Sequence, residues 1–225
     1  TIRCILIYMS TDIIITDDRL HFSLSLADFL RVQGQHVSLT SDAESVKDKR
    51  PENMIGPVVL WNRNSSFSLQ SLPLQFKNLQ LDVETALIIF DAPAYMELYP
   101  DTGVLNTDRV MTELVTANMQ LVYTLMRYFI HKKSGKLIFV HRDIPLSCGN
   151  IPVAAASGAF VRIAEESVMA IAREENAFLQ TMLVRLEGEE NALYIEWLAS
   201  QIGMQVLSRI PGRWIKAGQR SLFGK

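Results

Sequence analysis

Short apolar runs alternate along this chain with longer stretches in which apolar residues return every three or four positions. The two periods predict strands and helices in turn. Ile2 to Met9 is apolar at nearly every position, as a parallel strand covered on both faces should be. Leu20, Leu24 and Ala27, with Phe22, Leu26 and Phe29, then keep a helical period up to Gly34. Gly is a favoured residue just past a helix end, and Asp17 and Asp18 stand where an N-cap would help. His36 to Thr40, Val58 to Trp61, Ala86 to Phe90, Lys136 to Val140, Phe178 to Leu186 and Arg213 to Lys216 are the further strands. A long helix is predicted from Thr107 to His131, where Met111, Val115, Val122, Leu125 and Phe129 keep one stripe that includes Asn118. Two more helices follow, Val153 to Glu175 and Asn191 to Ile202. Residues 62–82 carry only a weak pattern and receive no assignment. Strands alternating with helices predict an α/β fold, a three-layer doubly wound parallel sheet of about seven strands. No linker interrupts residues 1–225, so one domain is expected.

Composition narrows the function classes. Of 225 residues, 48% are hydrophobic and 20% charged, enough for one sizeable core. The formal net charge is -2 and basic residues are scattered, which gives no electrostatic footprint for nucleic acid or an acidic membrane. His131-Lys132-Lys133 reads as the basic last turn of a helix. The two cysteines, Cys4 and Cys148, suggest no disulfide framework, so a reducing cytoplasm is the expected location. The first apolar run is too short for a secretory segment. No stretch approaches the roughly 20 apolar residues that span a bilayer. His21, His36, His131 and His141 lie far apart, with no metal-ligand spacing, so no metal is expected. A Gly-x-Ser-x-Gly nucleophile elbow is absent from the sequence.

Several strings, in order, resemble the short-chain dehydrogenase/reductases, 3-oxoacyl-carrier-protein reductases among them. Ala117-Asn118-Met119 resembles the helix with the family's catalytic Asn. Gly135-Lys136-Leu137-Ile138-Phe139-Val140 resembles the strand that leads to its Ser. Ala154 to Phe160 resembles the opening of the helix with the Tyr-x-x-x-Lys pair. Trp197-Leu198-Ala199-Ser200 and Pro211 to Gly218 resemble strings near the family's C-terminus.

Residue by residue, the resemblance implies eroded chemistry. The family binds a dinucleotide through a Gly-rich turn after the first strand, where backbone N–H groups approach the pyrophosphate. Here that turn reads Ser10 to Asp18, with no Gly before Gly34 and with Asp12, Asp17 and Asp18 adding negative charge. The turn after the fourth strand reads Phe90-Asp91-Ala92-Pro93 in place of Asn-Asn-Ala-Gly. The catalytic Ser corresponds to Arg142, or to His141 one residue earlier. The Tyr corresponds to Val153 and the Lys to Ser157, and Val supplies no proton. Asn118 matches, with a buried amide that satisfies helix backbone groups as its structural role. A substrate lid after the sixth strand is missing, since residues 187–190 run almost directly into the next helix.

The expectation is a catalytically inactive member with no cofactor. It would act as a homo-oligomer, or beside an active relative, through the helices 107–131 and 153–175. Leu121, Met126, Tyr128 and Ile130, off the core stripe, are the candidates for a partner surface. Two alternatives stand beside this reading. One is an NAD(P)H-dependent oxidoreductase with an atypical site. The other is a module that holds a small anion in the crevice at the strand ends, lined by His141, Arg142, Asp143 and Tyr95. Asp91 could join that crevice, and an Arg142–Asp143 pair on a solvated loop is its bland counterpart.

Overall fold

The computed structural model describes residues 12–42, 57–143, 149–173, 178–207 and 212–218. Its strands are β1 (Asp12–Ile15), β2 (His36–Ser41), β3 (Val58–Leu60), β4 (Val83–Asp91), β5 (Gly135–Arg142), β6 (Leu179–Leu186) and β7 (Trp214–Lys216). They form one sheet in the order β3-β2-β1-β4-β5-β6-β7, and every neighbouring pair is parallel. Chain order reverses between β1 and β4, the switch point where open α/β sheets leave a crevice at the strands' carboxyl ends.

Helices cover both faces. They are α1 (His21–Val32), α2 (Ser66–Gln70), α3 (Leu72–Asn78), α4 (Ala92–Leu98), α5 (Val104–Val110), α6 (Ala117–Lys132), α7 (Ile151–Arg173) and α8 (Asn191–Ile202). A π-helical turn, Met111–Thr116, joins α5 to α6. α1 packs with α8 on one side of the sheet, and α6 with α2 and α7 on the other. Ile13, Ile14 and Ile15 of β1, and Ala86 to Phe90 of β4, are buried on both faces, as two helical layers require. The doubly wound architecture is therefore the one the apolar periods predict.

Three expectations change. The run Ile2 to Met9 lies outside the described residues, and β1 is Asp12–Ile15, inside the segment assigned above to the cofactor turn. Asp12 is thus a strand residue, and its carboxylate accepts the N–H of Asp82. Spacing explains the shift: a helix that opens at His21 needs a strand a few residues earlier, and strand-to-helix connections are usually two to six residues long. Residues 62–82 hold the short helices α2 and α3, too brief for a period to show. The long helix begins earlier, at Val104, and Leu121 belongs to its core side. Met119 and Tyr123 form its outer face, at 51% and 61% exposure.

Candidate functional site

The β1–α1 turn spans residues 16–20, at the switch point. Asp17 takes φ 70, a left-handed conformation that Asp tolerates better than most residues. The N–H groups of the turn are spent inside the chain. Asp17 donates to Thr40 Oγ1 at 3.1 Å, Asp18 to the Thr40 carbonyl, Arg19 to Asp17 Oδ1 and Leu20 to the Asp17 carbonyl. Neither Asp17 nor Asp18 caps α1. Leu20 is its N-cap residue, without a side-chain bond. Asp18 instead accepts from Ser41 at the end of β2.

The Asp17 carboxylate is 1% exposed and anchors a buried ionic cluster. Arg19 clasps it with Nε on Oδ1 at 2.9 Å and Nη2 on Oδ2 at 3.0 Å. Arg63, from the loop after β3, places Nη2 3.0 Å from Oδ2, with its guanidinium 4.2 Å above the Trp61 ring. Tyr95 of α4 donates its hydroxyl to Oδ2 at 2.7 Å. Arg19 continues to Glu113 Oε2 at 3.0 Å and to the Tyr99 hydroxyl at 2.9 Å. Glu113 also accepts from Tyr99 and from Arg109. Three guanidinium groups (Arg19, Arg63, Arg109) thus stand among three carboxylates (Asp17, Asp18, Glu113).

Glu113 sits in the π-helical turn, whose wider winding frees backbone acceptors. Asn118 answers one of them, its Nδ2 donating to the Leu114 carbonyl at 2.7 Å. This is the buried amide expected of it.

Burial alone would raise the Asp17 carboxyl, but the Arg63 and Arg19 charges and the Arg19 hydrogen bonds hold it well below the usual carboxylate range. Burial likewise opposes Glu113, and hydrogen bonds from Arg109, Tyr99 and Arg19 bring it down to about 2. Tyr95 is pushed well above its ordinary value, chiefly by burial and then by Asp17, so it remains a donor.

A dinucleotide does not fit these residues. Its diphosphate needs free turn N–H groups and room beside them. Here the four N–H groups have internal acceptors, a carboxylate fills the turn, and the nearby guanidinium charges are matched. Two unit charges of like sign 4 Å apart cost about 4 kcal/mol at an effective dielectric near 20.

The positions paired above with the family's acid–base residues lie at the end of β5 and the start of α7. Val153 is fully buried. His141 Nε2 lies 2.8 Å from Ser157 Oγ, and Ser157 reaches Asp143 Oδ1 at 3.2 Å. A hydroxyl has one proton, and Ser157 gives it to Asp143, so the His141 ring supplies the other hydrogen through Nε2–H. His141 in that tautomer does not take the Ser157 proton. Burial lowers the His141 pKa to about 4, with Arg185 adding to that and Asp143 opposing it.

Arg142 does not pair with Asp143 as the bland reading had it. It crosses to Asp91 on β4 at 3.2 Å and to Asn191 on α8. Asp91 also caps α4, accepting from the Ala94 N–H.

The strand-end crevice exists, with a volume of about 630 Å³ between α1, α4 and the β6–α8 loop. Asp91, Arg142 and Asp143 line it, whereas Tyr95 and His141 are buried beside other partners. Glu97, Glu187 and Glu189 also face it, so carboxylates outnumber the one guanidinium, which already holds Asp91. That lining disfavours a small anion. Among the described residues no group of three or more His, Cys, Asp or Glu could hold a metal ion, and no helix is long and apolar enough to cross a membrane.

The sequence-predicted residues thus separate into three places. Asp17 and Tyr95 join the ionic cluster. His141, Asp143 and Ser157 form a second group. Asp91 and Arg142 make a bridge across β4 and β5. Ser10 lies outside the described residues. Arg19, Arg63, Tyr99 and Glu113 were not singled out from the sequence. Glu113 carried a signal, an acidic residue three positions after Val110 and four before Ala117 on the buried side of the long helix.

Acid should dismantle the cluster in a defined window. Glu113 and Asp17 have folded pKa values below their unfolded ones, so their contribution is complete above the unfolded pKa and is lost as pH falls toward the folded one. For Glu113 that window runs from 4.5 down to about 2. His141, neutral when folded, adds a loss between 6.5 and about 4 because the unfolded chain takes up a proton first. Asp18 and Asp91, whose carboxyls burial pushes up, act in the opposite sense. Urea unfolding at stepped pH should show the lower loss in the unaltered protein and a shallower one in Glu113→Gln. Equal slopes in the two would contradict the assignment.

No family model matches the chain. It is 44% identical over 217 residues to an uncharacterized protein of Treponema pallidum (strain Nichols), covering 96% of this chain and 97% of that one. Among solved structures, a short-chain dehydrogenase from Bacillus anthracis superposes with a TM-score of 0.66 at 14% identity, over 93% of this chain and 95% of the other. One from Rhodopseudomonas palustris gives 0.64 at 9% identity, over 91% and 97%. These likenesses establish the short-chain-dehydrogenase fold.

Proposed function

The chain belongs to one family with the Treponema pallidum protein, and from that membership and the geometry of the turn we propose a non-catalytic role, exerted through association of its long helices. The single observation behind this reading is the Asp17 cluster. It fills the turn on which nicotinamide chemistry in this fold depends, and it is held by side chains from four separate elements. Loss of the chemistry with retention of the scaffold leaves the surfaces as the working parts.

Association is supported by the outer face of α6. Met119, Tyr123 and Tyr128 line an apolar groove of about 800 Å³ with Leu69 and Pro73 from α2 and α3, and Arg127 and His131 at its margin. Phe67 of α2, and Val104 and Leu105 at the start of α5, are 77%, 86% and 89% exposed. An exposed apolar groove of this kind marks interaction sites on soluble proteins. The occupant proposed is a second copy of this chain, since an outward helix face can meet its own image across a two-fold axis. Light scattering on the eluting protein, over a range of concentrations, is expected to return twice the chain mass. A monomer at every concentration would overturn the associative half of the proposal.

A further inference from the structure

Four hydrogen-bond donors and a second guanidinium converge on one carboxylate. Arg19 N–H and Nε–H donate to Asp17 Oδ1, Arg19 Nη2 and Tyr95 Oη donate to Oδ2, all between 2.7 and 3.1 Å, and Arg63 Nη2 adds an ion pair to Oδ2 at 3.0 Å without a hydrogen bond. A carboxylate offers about four lone-pair positions, so Asp17 is saturated. Unused N–H groups remain beside it although the charges balance. Two guanidinium groups share it. The Arg63 side chain is 1% exposed, and neither its Nη1 nor its Nη2 has a hydrogen-bond acceptor. Planar guanidinium forks and a hydroxyl aimed at one point are the donor set that recognises tetrahedral oxyanions. Asp17 sits in a left-handed turn between a parallel strand and a helix N-terminus, the place where doubly wound folds receive phosphate.

We propose that the Asp17 carboxylate is a built-in anion, occupying from within a subsite whose donors suit an oxyanion. This rests on the reading that the chain uses no dinucleotide, and it adds the reason the fold survives that loss. The anion on which the β1–α1 turn, the β3 loop and α4 converge is covalently supplied. A carboxylate on the chain has no association entropy to overcome, so the three elements stay joined whatever the ligand concentration.

Asp17→Gly tests this directly. Gly accepts φ 70 without strain, and its lack of a side chain empties the subsite while Arg19, Arg63 and Tyr95 keep their donors. Thermal midpoints of the variant and of the unaltered chain are compared in sodium sulfate, sodium phosphate and sodium chloride at matched ionic strength. The variant is expected to gain several degrees in sulfate or phosphate over chloride, saturably, and the unaltered chain to show no such preference. Adding Arg63→Gln to the variant should abolish the gain. A variant that responds alike to the three salts overturns the proposal. Should Asp17→Gly fold in none of them, Asp17→Ser, which leaves only a short hydroxyl, takes its place with the same readout. Nicotinamide-cofactor binding by the unaltered chain would contradict the functional reading while leaving the oxyanion response intact. An absent oxyanion response would contradict this inference alone.

Discussion

Asp17→Asn is expected to lower the free energy of unfolding by about 3–5 kcal/mol, the usual cost of removing one partner from a buried ion pair. Asn is close to Asp in size and tolerates the left-handed turn, so neither cavity nor backbone strain confuses the measurement. What changes is charge. Arg63, with a side chain 1% exposed, has Asp17 as its ion-pair partner among the described residues, and Arg19 keeps Glu113. The loss should exceed that of Arg109→Gln severalfold, because Arg109 is 58% exposed at the end of the same cluster and surface pairs contribute about 0–1 kcal/mol. Denaturant titration of the two variants decides the matter. Similar small losses would mean that the cluster is a solvated decoration.

Tyr123→Glu is expected to weaken self-association by at least about 100-fold, which corresponds to about 2.8 kcal/mol. Tyrosines at the centre of an interface carry a large share of its binding energy. Across a two-fold axis the substitution would also bring like charges together in a desolvated patch. Stability of the separate chain should change by no more than about 0.5 kcal/mol, since Tyr123 is 61% exposed and holds no core contact. Sedimentation velocity combined with urea unfolding separates the two effects. A variant that associates like the unaltered chain would remove this face from the account.

The fold was legible because parallel strands covered on both faces are continuous apolar runs and the helices between them keep a clean period. Ala86 to Phe90 and Lys136 to Val140 sit inside β4 and β5, each of which extends somewhat further. The strand Asp12–Ile15 was not picked out because its apolar run is only the three residues Ile13 to Ile15 behind an acidic one. Counting back from the helix start at His21 would have pointed to it.

The site was harder to read. Asp17 was marked as a cofactor-turn residue and as a helix cap, yet its side-chain partners come from its own turn, the loop after β3 and α4, which no local pattern joins. Arg63 stands in a stretch with almost no period, and Arg19 reads as one more surface charge. His141 and Ser157 were each flagged by position, but their mutual bond depends on α7 crossing β5 at one particular height. A sequence shows which residues are out of place, such as Glu113 on a buried stripe. The fold determines which other residue answers each one.

The central claim is that the turn after β1 holds its own anion and has no place for a second. Calorimetric titration of the purified chain with NADH and with NADPH at low salt is its most direct test. The account predicts no saturable heat with either nucleotide well into the millimolar range. Saturable one-site binding at micromolar concentration, abolished by substitutions in the β1–α1 turn, would contradict it.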